Sequence, residues 1–189
     1  MEADWEFEVG PDAAGLVAPV IEAHWAGYVD LRCHPESAED LPETAQFPAL
    51  AEALARLNAA DSLVWTSKCD FWPDLEPGEF DPDELDAPPS SATHAMGCYI
   101  DVLSRSDQQW ALPAMAEKTC KRICGLLHAI PLGCCRADLV IRRAFISPDG
   151  MDLGITAYLT ACGESSAAAA KTLEAALAAF TDALGPAQR

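Results

Sequence analysis

Lys68-Cys69-Asp70 places an ammonium, a thiol and a carboxylate in succession, and a cation held beside a thiol lowers its pKa toward the reactive thiolate. On a strand, however, neighbours point to opposite faces, so Lys68 does not sit over Cys69, and the thiol reads as core packing before it reads as a nucleophile. Asp70 and Asp101 are the carboxylate candidates, because a carboxylate perturbed in a concave site can carry acid–base chemistry. Residues suited to binding are Lys68, Trp72, Tyr99 and Tyr158, with Arg142 and Arg143 as an adjacent guanidinium pair.

Metal ligation has the right residue types but the wrong spacing. Cys33-His34 could join His24, and Cys120 and Cys124 could join Cys134-Cys135, yet the last pair has no spacer and neither set makes a two-pair zinc pattern. Asp81-Pro-Asp83-Glu-Leu-Asp86 shares only its acidity with a calcium loop, lacking the central Gly and the distal Glu. Gly-rich phosphate loops, His-Glu-x-x-His and Gly-x-Ser-x-Gly do not occur. No metal and no cofactor is expected. Asp107-Gln-Gln-Trp110 reads as a cap and loop before a helix.

Charge narrows the partners. Residues 1–90 carry 21 Asp and Glu against Arg32, Arg56 and Lys68, whereas residues 91–189 carry nine acids against nine Lys and Arg, so the net of −18 sits in the first half. Polyphosphate ligands and nucleic acids need clustered Lys and Arg and are disfavoured. A basic protein partner, a second copy of the chain, or a basic surface that a DNA mimic would occupy are all compatible. The N-terminus has acids where a signal peptide needs basic residues, and no apolar run approaches membrane-spanning length, so a cytoplasmic chain with thiols rather than disulfides among its eight cysteines is expected.

The elements that must position these residues follow from periodicity. A short strand is expected at Trp5–Val9. Leu16–Leu31 has a partial helical stripe weakened by Pro19 and Gly27 and stays open, and residues 32–46, with Pro35, Pro42 and a run of acids, read as loop. Phe47, Leu50, Leu54 and Leu57 form the first clear helical stripe, ended by Asn58 to Asp61. Leu63 to Trp72 alternates, with Leu63, Trp65, Ser67, Cys69 and Phe71 on one side and Val64, Thr66, Lys68, Asp70 and Trp72 on the other. Residues 73–95 hold seven acids and five prolines and read as a long, mobile acidic loop. Met96–Ser104 alternates again, and Ala116, Cys120, Ile123, Leu127 and Ile130 continue a helix opened by Pro113. Ala137–Ile146 and Leu153–Ala161 make a hairpin through Ser147-Pro-Asp-Gly150, and an Ala-rich helix with Leu173, Leu177, Phe180 and Leu184 closes the chain.

The expected fold is α+β: a two-layer domain with an antiparallel sheet and helices on one face, built from a duplicated helix–strand–strand unit plus a C-terminal helix. Residues 1–46 form an N-terminal segment packed on a domain of residues 47–189. This outline, with its acidity, resembles small secretion chaperones and equally an immunity or inhibitor protein. Thr66, Lys68, Asp70, Trp72, Tyr99, Asp101, Thr156, Tyr158 and Thr160 would then share the uncovered sheet face. The expected function is a non-enzymatic protein-binding, assembly or inhibitor protein, the alternative being a small enzyme or ligand-binding domain with a pocket on that polar face.

Overall fold

A computed structural model of the chain describes residues 1–8, 28–76, 78–88, 92–106, 110, 112–144 and 152–185. The fold is α+β, with a five-stranded mixed sheet and helices. In chain order the elements are β1 (Glu2–Glu8), a 3-10 turn (Pro35–Asp40), α1 (Pro42–Gln46), α2 (Pro48–Asn58), β2 (Val64–Trp72), β3 (His94–Ser104), α3 (Pro113–His128), β4 (Cys135–Ala144), β5 (Asp152–Gly163) and α4 (Ser166–Leu184). The sheet order is β1-β4-β5-β3-β2.

The sheet is not wholly antiparallel. β1 runs parallel to β4, from Glu2 beside Arg136 to Glu8 beside Arg142, while β4–β5, β5–β3 and β3–β2 are antiparallel. Parallel pairing needs a long crossover, and nearly the whole chain between β1 and β4 supplies it. No local sequence signal marks such a partner.

Alternation along β3, β4 and β5 builds the core as expected. Cys98, Ile100, Val102, Leu139, Ile141 and Leu159 are buried with Leu54 of α2, Ile123 of α3 and Phe180 of α4. Full burial of an aromatic or Leu side chain is worth about 1.5–3 kcal/mol each, which holds α2, α3 and α4 against these strand residues. Small residues set how close α4 can come: a Cβ on Gly163 would lie 2.5 Å from the Ala169 nitrogen. Ser165 caps α4 by accepting the Ala168 N–H at 3.2 Å.

Three local expectations are corrected. Residues 32–46 are not plain loop, because Pro35 and Pro42 each occupy the first turn of a short helix, where their missing N–H costs nothing. The 73–95 segment is anchored: Leu85 and Ala87 are buried against Ala95 and Cys162, with Phe80 and Leu75 packed on them. β2 breaks its alternation at a bulge between Thr66 and Cys69, where the register gains one residue against Val102–Ile100 of β3. The extra residue swaps the sides, so Val64, Thr66, Cys69 and Phe71 face the helices.

The Ser147–Gly150 turn and most of Leu16–Leu31 lie outside the described residues, as does Asp107. The residue before α3 is Leu112, which makes no side-chain cap. Trp110 is buried and donates its indole N–H to Thr119 Oγ1 at 3.3 Å. Among the described residues no helix is long and apolar enough to cross a membrane.

Candidate functional site

The sheet face opposite the helix-packed core gathers most of the chemistry-bearing residues. β1 contributes Glu2, Asp4, Glu6 and Glu8, each in register with Arg136, Asp138, Val140 or Arg142 of β4. Tyr158 of β5 stands beside Asp138 on one side and Tyr99 of β3 on the other, and Tyr99 is beside Asp70 of β2. Trp72, Tyr99 and Tyr158 form a ladder with successive ring centroids 5.8 Å apart. Gly97 makes room at its end, because a Cβ there would come within 3.2 Å of the Trp72 ring.

The expected set is therefore partly assembled. Asp70, Trp72, Tyr99, Asp101, Arg142 and Tyr158 share this face, and the charge of Lys68, in the bulge, reaches Asp101. Thr66 does not join them: the bulge turns it to the helices, where Asn58 Nδ2 donates to its hydroxyl at 2.7 Å. Arg143 follows Arg142 along β4 and so points to the opposite side. Cys69 also faces the helices, and burial, reinforced by Glu43, Asp70 and Asp101, pushes its pKa up to about 12. A thiol so placed stays protonated at neutral pH, where a nucleophile needs a thiolate.

The centre of this face is a satisfied polar cluster. Asp101 is only 4% exposed and accepts the Thr156 hydroxyl at 2.6 Å. Burial raises its pKa, against the opposing pull of the Thr156 bond and of the Lys68 and Arg142 charges. Burial and then the Asp101 and Asp70 charges push Tyr99 up to about 12. Arg142 donates through Nε to Glu8 at 2.8 Å and through Nη1 to the Tyr158 hydroxyl at 3.0 Å. Arg136 pairs with Asp138 at 2.7 Å and lies 3.4 Å from Glu84 and 4.0 Å from Asp4. The face is flanked by two apolar patches: Trp65, Leu103 and Ala144 at one end, and the Leu85 anchor at the other.

A groove of about 360 Å³ runs along β1 and β4, lined by Asp4, Glu6, Arg136, Asp138, Arg142 and Tyr158 among others. Both guanidiniums are already engaged by carboxylates, so the groove has anionic charge to spare. It can hold a cation by charge-assisted hydrogen bonds. Sequence reasoning missed Glu2, Asp4, Glu6, Glu8, Arg136 and Asp138, although Glu-Ala-Asp-Trp-Glu-Phe-Glu carries its acids at every second position, the period of one strand face.

The two sheet edges differ. On β2 the Val64 carbonyl accepts from Arg105 Nε at 3.0 Å, the Thr66 N–H donates to Asn58 Oδ1 at 3.1 Å, and the Phe71 N–H donates to Asp70 at 2.8 Å. Residues 28–43 lie alongside, enclosing with β2 and α2 a second cavity of about 370 Å³. On β1 the Trp5 N–H donates to its neighbour Asp4 at 2.8 Å. Among the described residues no group of three or more His, Cys, Asp or Glu is placed to hold a metal ion. No family model, no curated protein and no solved structure matches this chain.

Proposed function

We propose that this chain is a non-enzymatic binding protein that engages a basic region of a partner protein through the β1–β4 groove. The observation that carries the reading is the row of Glu2, Asp4, Glu6 and Glu8 on one face of β1, beside a groove whose two arginines are already neutralised. Such a row steers a cationic partner and sets its register more than it adds raw affinity. The architecture that accompanies this reading is two layers, with residues 1–46 packed on a domain of residues 47–189. A duplicated helix–strand–strand unit is supported by the sheet order, in which the β2–β3 and β4–β5 hairpins meet through their second strands. A small enzyme or ligand-binding domain with its pocket on the polar face has less behind it, since Asp101, Arg136 and Arg142 are occupied by neighbours and Cys69 faces away.

A titration of a fluorescent Lys-rich nonapeptide tests the proposal. Binding weakens steeply between low and moderate salt, and weakens about tenfold or more when Glu2, Glu6 and Glu8 are changed to Gln and Asp4 to Asn, as expected for several partly screened pairs. Affinity indifferent to both changes overturns it.

A further inference from the structure

Edge strands expose a row of unpaired N–H and C=O groups, and proteins usually blunt them. β2 is blunted by Asn58 and Arg105, whose side chains reach outward backbone groups of Thr66 and Val64 from elsewhere in the fold. β1 is treated differently. The Trp5 N–H turns to the Asp4 carboxylate rather than to β4, so by the strand's two-residue period the backbone groups of Ala3, Trp5 and Phe7 face outward, while those of the intervening acids pair with β4. Beyond that single local contact, no side chain or strand among the described residues takes these groups.

The two faces of this edge specify what could add to it. On the groove face every second residue is an acid, and on the opposite face Trp5 is half-buried and Phe7 is 41% exposed. A strand laid against β1 gains cross-strand pairs if its residues alternate basic and apolar, each opposite-charge or apolar pair contributing modestly and the backbone bonds adding to them. A second copy of β1 does not satisfy this pattern, because antiparallel self-pairing sets carboxylates against carboxylates.

Resting on the basic-partner reading above, we propose that the partner binds by strand addition: an extended segment of about seven residues with alternating Lys or Arg and apolar residues pairs with the outer edge of β1.

The test uses the full chain and a labelled nonapeptide of alternating Lys and Val, in three forms: unmodified, N-methylated on the Lys residues, and N-methylated on the Val residues. A strand offers one edge to β1, so one methylated form binds like the parent and the other binds at least about tenfold more weakly, from the loss of several hydrogen bonds. If both methylated forms bind like the parent, strand addition is overturned and the electrostatic reading stands. If the parent fails to bind at any salt, both are overturned. If the chain instead self-associates through β1, lost on changing Trp5→Pro, the edge belongs to a second copy and the proposal fails.

Discussion

The two edges of the sheet are built from opposite materials. β2 is closed by side chains that reach in from elsewhere in the fold: Asn58 at the end of α2 holds both the N–H and the hydroxyl of Thr66, and Arg105 spans the Val64, Asn58 and Ala59 carbonyls. β1 meets its surroundings with its own carboxylates. A side-chain plug is permanent and contributes to stability, whereas a charged edge discourages self-pairing and leaves the backbone open to a strand of opposite charge. On this account β2 holds the domain together and β1 receives the partner.

The largest effect is expected from unplugging β2. Asn58→Leu keeps the volume but orphans the Thr66 N–H and hydroxyl in a buried site, a loss of about 3 kcal/mol measured by urea denaturation. Loss of the same size from Glu6→Gln on β1 would erase the contrast between the edges.

Next comes the cluster between them. Asp101 lies on β3 opposite the β2 bulge, and its pKa is raised by burial. A carboxylic acid whose folded pKa exceeds its unfolded one binds more protons when folded in the interval between the two. Its contribution to stability therefore declines as pH rises through that interval and remains reduced above it. Asp101→Asn, which can still accept the Thr156 hydroxyl, should raise stability at neutral pH and flatten this slope in thermal melts at pH 4 to 8; a less stable Asn variant would mean that the Lys68 and Arg142 charges outweigh burial.

The smallest effect sharpens the reading of β2. Ser67, in the bulge, has its Oγ buried without a hydrogen-bond partner. Ser67→Ala should stabilise the protein by about 1 kcal/mol in the same urea assay, because an unsatisfied hydroxyl is removed. Destabilisation would indicate that the hydroxyl bonds an ordered water.

Much of this was readable from sequence where one period governs one element. The stripe Leu50, Leu54, Leu57, the alternation Cys98, Ile100, Val102, and Leu173, Leu177, Phe180 all fall in the core. What escaped was non-local. Thr66-Ser67-Lys68 suits either face, so nothing in it marks an extra residue, and one bulge turned Thr66 from the polar face to the helices while Cys69 kept its place on the helix side. The parallel mate of β1 lies more than a hundred residues away. Asn58 reads as a helix stop, and only the fold makes it a clamp. Within the site, the Tyr99–Asp101 and Tyr158 faces followed from alternation, but the Arg142–Glu8 and Arg136–Asp138 pairs depended on β1 joining β4.

Amide hydrogen exchange of the full chain, with and without the alternating Lys–Val peptide, tests the contrast between the edges most directly. The account predicts that the peptide slows exchange at Ala3, Trp5 and Phe7 and leaves Val64, Thr66 and Phe71 unchanged. Slowing at β2, or bound peptide with no slowing at β1, would contradict it.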